Sequence, residues 1–277
     1  VTLLPIFFDT VAGYTADSVS SMSTWGYATS IAMLIVALAA PFLGVFGDIR
    51  GMRKKLFSFF MLLGVAACAG MAFTPGMDFT SGPVAAGKVA SLILVLYIVS
   101  VIGFDASAIY YDAFLTDVTT EDRMDKVSTM GYGLGYIGGS TIPLLIFLIM
   151  NLVGVPMLTC LAFVFGLTAV WWLVFSLPLL KNCEQTSGKP YEKGDVARSI
   201  KGVGTTIKEI IANKPMLIYI LSYFFYIDGV HTVISMATTY GTNLGLDSTG
   251  MMLALLLVQI LGLPFCLLYI KCSEKFG

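Results

Sequence analysis

Of the 16 Lys and Arg residues in this chain, all but Lys88 fall on one side of a membrane that the sequence itself draws. Apolar runs extend from Trp25 to Phe46, Leu56 to Phe73, Val89 to Tyr110, Met130 to Leu152, Pro156 to Leu177, Met216 to Thr238 and Met251 to Ile270. Each is close to the roughly 20 residues a helix needs to cross about 30 Å of hydrocarbon. When the connections are assigned alternately to two sides, one side collects Arg50, Arg53, Lys54, Lys55, Arg123, Lys126, every basic residue from Lys181 to Lys214, Lys271 and Lys275. Basic loops remain cytoplasmic, so this asymmetry sets both the number of crossings and their direction. The expected fold class is all-α, a polytopic transmembrane helix bundle.

Composition narrows the function classes. With 57% hydrophobic and 12% charged residues, the chain is far from the roughly 25% charge of a soluble domain. A net charge of −1 gives no reason to expect a nucleic-acid partner; the expected surroundings are a lipid bilayer. Cys68, Cys160, Cys183, Cys266 and Cys272 form no CxxC pair, and small buried side chains are the simplest role for them. The single histidine, His231, leaves little for a metal centre, and no metal or cofactor is expected. Val1 to Phe8 is apolar but lacks the basic flank of a cleavable signal.

That opening run is too short to span a bilayer, although the alternation requires a helix crossing before Asp9. The chain also ends directly after an apolar span. It therefore reads as part of a longer protein: the outer half of a first helix, seven complete spans, and further helices beyond.

The longest hydrophilic connection runs from Lys181 to Lys214 and contains Gln185-Thr-Ser-Gly-Lys-Pro and Glu192-Lys-Gly-Asp. Within it, Val196, Ile200, Val203, Ile207 and Ile210/Ile211 recur at helical spacing, so 196–211 is either an amphipathic surface helix or a solvated linker. The segments expected are therefore 1–180, six helices with the first incomplete; 181–214, a cytoplasmic linker; and 215–277, the start of a second half with helices seven and eight. A repeat supports the division: Gly44-Val-Phe-Gly-Asp48-Ile-Arg50-Gly51-Met-Arg53-Lys54-Lys55 follows the second helix, and Glu274-Lys275-Phe276-Gly277 follows the eighth. Aligning Asp48 with Glu274 also places Gly51 on Gly277. Six-helix units repeated in parallel are a plan of secondary transporters.

The string G-x-x-x-D-x-x-G-x-R, here Gly44, Asp48, Gly51 and Arg53, resembles the loop signature of the major facilitator superfamily. Ile49 and Met52 depart from it where basic residues are usual. Tyr111-Asp-Ala-Phe-Leu-Thr-Asp117, Gly131 to Gly139, and Tyr226-Ile-Asp228-Gly-Val-His231-Thr232 continuing to Gln259 resemble the vacuolar amino-acid effluxer (autophagy-related permease) branch. The resemblance implies a 6+6 helix plan of which about seven full helices and part of the first are present. It also implies a gating loop built on Gly44, Asp48, Arg50, Gly51, Arg53 and Lys54, whose contacts form in one transport state and break in another. A plain positive-inside stop signal would need the basic residues but neither the aspartate nor the glycines.

Asp228 stands in the middle of its span, where a carboxylate is costly unless it faces a cavity or a partner. His231, Thr232, Ser235 and Thr239 follow on the same helix face, which reads either as a solute or ion pathway or as a buried polar network. Histidine and aspartate are residue types able to carry a proton, so His231 and Asp228 are candidates for that role. Asp105 is a second pathway candidate, equally compatible with structural pairing, whereas Asp112 and Asp117 read as interfacial. Gly131, Gly135 and Gly139, spaced by four, are expected to let helices pack closely, and Pro143 to kink the helix that follows.

The function expected is secondary active transport of a small-molecule solute by a monomeric carrier in the plasma membrane, with the linker and gating loop cytoplasmic. Family resemblance extends this to an amino acid or similar metabolite, to efflux and to proton coupling. An intramembrane enzyme would need a nucleophile with a base or a metal cluster, and there is no HExxH, GxSxG or P-loop string. A receptor or scaffold retaining a carrier fold is the alternative.

Overall fold

The computed structural model describes residues 3–15, 21–188, 190 and 195–276, and it is built of helices with no strand among the described residues. They are α1 (Leu3–Ala12), α2 (Ser21–Gly47), α3 (Arg53–Met71), α4 (Pro83–Ala113), the single turn α5 (Leu115–Val118), α6 (Met124–Tyr136), α7 (Ile142–Leu152), α8 (Met157–Asn182), α9 (Asp195–Ala212), α10 (Lys214–Asn243) and α11 (Ser248–Phe276). By length and hydropathy, α2, α3, α4, α8, α10 and α11 each suffice to cross a membrane. The end carrying the α2–α3 turn is called the basic end below.

The apolar run at Met130–Leu152 is helical but not one regular helix: α6 and α7 join through a π-helical turn at Ile137–Thr141. Pro143 lies just beyond, with no N–H to offer the carbonyl four residues before it. A widened turn leaves carbonyls unpaired, and inside an apolar bundle these need other donors. Thr141 Oγ1 donates to the Tyr136 carbonyl at 2.7 Å, and Trp171 Nε1 on α8 donates to the Gly138 carbonyl at 2.6 Å.

α4 is the hub, packing against α1, α2 and α3. The α3–α4 crossing is made by backbone: a Cβ added to Gly103 would lie 2.5 Å from Gly64 N and 2.8 Å from the Phe60 carbonyl. Around α4 a core forms from Phe7, Phe8, Val11, Trp25, Ile93, Phe147 and Leu161. The Trp25 ring stacks at 4.2 Å on Tyr97, whose hydroxyl is 3.1 Å from Thr29 Oγ1. α1 is thus an integral layer of the bundle, with Leu3, Leu4, Phe7, Phe8 and Val11 buried. Val1 and Thr2 lie outside the described residues.

α11 packs on α6, the π-turn and α7. The close approach expected at Gly131, Gly135 and Gly139 lies elsewhere. A Cβ at Gly135 or Gly139 would meet nothing within 4 Å, and one at Gly131 only the Tyr111 hydroxyl at 3.9 Å. Gly133 is the glycine buried against α11, with Leu263 3.0 Å from the position of its missing Cβ. Spacing by four identified a face of small residues, but Gly133, between Gly131 and Gly135, is the one that points at the partner helix.

α10 meets α1 and α2 near its C-terminal end, where Thr238, Thr239 and Gly241 are its buried residues. From Lys214 to Ala237 none of its residues is buried, on any face of the helix. α9 is a helix that packs on α10 and α2, with Ile207 and Ile211 exposed at 51% and 59%. The side chains of Val196 and Ile200, the stretch Tyr191–Gly194, the side chain of Glu274, and Gly277 fall outside the described residues.

Candidate functional site

Two groups of polar side chains stand out. The first surrounds the turn between α2 and α3. Gly51 adopts φ +81°, a left-handed conformation that glycine supplies without strain and that closes the turn. Arg53, the first residue of α3, turns inward and is 4% exposed. Its Nη1 donates to the Ala113 carbonyl at 2.9 Å, to Ser187 Oγ at 3.2 Å and to the Asp117 carboxylate. Its guanidinium carbon lies 5.7 Å from the centroid of the Phe114 ring.

Asp117, on the single turn α5, is the anionic centre of this group, with none of its side chain exposed. Its other oxygen, Oδ1, accepts from Thr186 N at 3.1 Å, Thr186 Oγ1 at 2.9 Å, Ser187 N at 2.8 Å and Ser187 Oγ at 2.7 Å. So many donors on one oxygen is a role for an ionised carboxylate. Sequence reasoning read Asp117 as interfacial and did not place it in the gate. Its signal was its position, a carboxylate just beyond the end of the α4 apolar run with basic residues in the facing turn.

Asp48 sits differently. Its side chain is 82% exposed, and its contact with Arg53 Nη2 is long at 3.9 Å. Arg50 is exposed, Lys54 half-buried, and a Cβ at Gly44 would meet nothing within 4 Å. The close approach in this stretch is at Gly47, where a Cβ would lie 3.0 Å from the Tyr110 ring.

The second group lies along α10 and on the helices near it. Thr239 is buried against α1 and α2, sharing a small recess with Asp9, Ser21 and Trp25, and Asp9 accepts a hydrogen bond from the Ser21 hydroxyl. Asp228 is eleven residues earlier on α10; at about 100° per residue the two share nearly one azimuth, roughly 16 Å apart along the axis. The face carrying Asp228 is therefore the one turned toward α1–α8. Between them His231 stands within electrostatic reach of Asp105 on α4. Thr232 is exposed beside His231, and the Ser235 hydroxyl is committed to the His231 carbonyl at 2.7 Å. Among the described residues Asp228 is exposed and makes no hydrogen bond or ion pair. Nearer the basic end, Tyr132 lies within electrostatic reach of Asp112, Tyr111, Tyr136 and Tyr223.

Asp105 on α4 and His231 on α10 lie within electrostatic reach of each other, and an ion-paired turn lies at the basic end. Such an arrangement can hold a polar solute between helix groups and change its side of access by their relative motion. Comparison with known proteins supports the same class. The family model described as "Vacuole effluxer Atg22 like" matches residues 10–124 and 116–277. The MFS-type transporter YxiO of Bacillus subtilis is 37% identical over 99% of this chain and 63% of its own length. Autophagy-related protein 22-1 of Penicillium rubens is 26% identical over 50% of the chain and 25% of its own length, and that of Sclerotinia sclerotiorum 24% over 54% and 28%. The chain thus spans less than two thirds of the length of these relatives. No solved structure matches.

Proposed function

This chain belongs to the Atg22-like vacuole effluxer family, and on that premise we propose that it forms the substrate-facing part of a secondary transporter working by alternating access. The observation that carries the reading is an α10 packed on α1 and α2 at Thr239 whose Asp228 and His231 stand exposed nearer the basic end, His231 within electrostatic reach of Asp105 on α4. Residues 1–180 and 215–277 belong to two six-helix units, joined by the 181–214 linker. The basic end is cytoplasmic, by the positive-inside rule, so the conformation is open to the inside. Rocking of α10 and α11 against α1–α8 closes the basic end and opens the other.

The solute is an amino acid or similar metabolite, an assignment that rests on the names of the family and its fungal relatives. Asp105, Asp228 and His231 supply the charges that contact it or a coupling proton, with Thr232 and Ser235 adding hydroxyls on the same helix. Asp48, Arg50, Gly51, Arg53 and Lys54 belong to the gate at the basic end. The test is solute-induced thermal stabilisation of the purified full-length protein across a panel of amino acids at two pH values. A ligand that raises Tm, with the shift lost in Asp228→Asn, is expected. No shift for any amino acid would overturn the solute class, and absence of flux for every stabilising solute in proteoliposomes would overturn transport.

A further inference from the structure

The hydrogen bonds around the α2–α3 turn come largely from a segment far away in sequence. Residues 183–188, leaving α8, run back beneath the turn, and one side chain there bridges it. Gln185 Nε2 donates to the carbonyl of Gly47, the last residue of α2, at 3.0 Å. Its Oε1 accepts from Gly51 N at 2.8 Å and from Arg53 N at 3.3 Å. The α3 N-cap position is Met52, which offers no side-chain acceptor, so Gln185 performs the capping that a Ser, Thr or Asp would ordinarily provide.

The next residues continue the docking. Thr186 and Ser187 present their amides and hydroxyls to Asp117, and Ser187 Oγ also accepts from Arg53. Gly188 closes the contact at φ +117°, where an added Cβ would fall 2.8 Å from the Asp48 carbonyl and 2.9 Å from Gln185 Nε2. This position requires glycine both for its backbone angle and for the close approach. The segment carries no large apolar side chain into the protein; polar contacts at the surface hold it, and water can replace them.

We propose that Gln185–Gly188 is a releasable clip that positions the α2–α3 turn, docked in the conformation seen here and withdrawn when α10 swings toward α1–α8. The chain beyond the clip leads through α9, which packs on both α2 and α10. A displacement of α10 relative to α2 therefore acts on α9, the helix that follows the clip in the chain. Gln185 acts as a positioning residue: it sets the geometry of Arg53 and Asp48 without touching solute. The release step rests on the alternating-access reading; the docking step does not.

The experiment uses the full-length protein in nanodiscs, with the native cysteines replaced and spin labels at Lys55→Cys and Met216→Cys, and pairs hydrogen exchange with inter-label distances. In Gln185→Ala, exchange of the Gly51 and Arg53 amides is expected to rise about tenfold or more, with a control peptide over Val89–Tyr97 unchanged. The inter-label distribution is expected to shift between its populations. Gln185→Glu retains the acceptor but loses the donor, and is expected to restore protection at Gly51 and Arg53. Unchanged exchange in Gln185→Ala would overturn the docking. Faster exchange with an unchanged distance distribution would overturn the coupling. If Asp48→Asn also leaves the distribution unchanged, the gate itself is at fault, and otherwise the clip alone. Should Gln185→Ala fail to insert, Ser187→Ala carries the same expectations at the Thr186 and Ser187 amides.

Discussion

Arg53 donates to Asp117 beneath the α2–α3 turn, and the two side chains are 5% and 0% exposed. The pair joins α3 to the end of α4, while Asp48, closer in sequence, reaches Arg53 at 3.9 Å from the surface. Removing one member of a buried pair strands the other charge, whereas removing a surface partner costs little. Asp117→Ala is therefore expected to destabilise the protein by about 3 kcal/mol, and Asp48→Ala by less than about 1 kcal/mol. Thermal melts of the two variants in one detergent check this, and equal losses of Tm would contradict the division of roles. In the gating reading Asp48→Asn still slows transport, because its role there lies in the alternative conformation.

This pair also marks the limit of what the sequence discloses. The apolar runs sufficed for six helices of membrane-crossing length, since length and hydropathy are local properties, while the run Met130–Leu152 divides at the π-turn. The stripe from Asp228 to Thr239 was legible because helical periodicity puts its residues on one face of α10. The partner of Arg53 was not, because Asp117 is made a site by Thr186 and Ser187, about seventy residues away, through hydrogen bonds with no periodic signature. The π-turn was half legible: Pro143 announced a disturbance, but its satisfaction by Trp171 depends on how α8 packs.

Gly103 and Gly135 make opposite predictions for one substitution. At Gly103 a methyl group would meet the backbone of Gly64, which cannot rotate away, so Gly103→Ala is expected to cost about 1–3 kcal/mol and to separate α3 from α4. At Gly135 the position is open, so alanine is expected to be neutral or to gain up to about 1 kcal/mol of helix propensity. Comparing the two melts checks whether the glycine contact that matters is the α3–α4 crossing.

The orientation assigned to the basic end is open to a chemical test. Cys272 is exposed near that end of α11, and Lys88 is exposed at the opposite end, on the first turns of α4. In a background with the other cysteines replaced, an impermeant maleimide is expected to label Cys272 in inside-out vesicles but not in intact cells. Lys88→Cys is expected to label in intact cells. The reverse pattern would invert the topology and move the gating loop to the outside.

Asp105 and His231 come from helices that the alternating-access reading places in different units, so their interaction belongs to one relative position of those units. If both contact the same solute or proton, removing either removes a shared function, and removing the second then costs little more. Asp105→Asn and His231→Gln are each expected to reduce flux of a stabilising solute in proteoliposomes. The double variant is expected to fall short of the product of the two effects, a coupling of about 0.5–3 kcal/mol. The pH dependence of flux is expected to flatten in His231→Gln, because imidazole is the side chain whose ordinary titration lies near neutrality. Independent effects with an unaltered pH profile would instead make Asp105 and His231 separate packing groups, and would leave Asp228 as the remaining charged candidate to test.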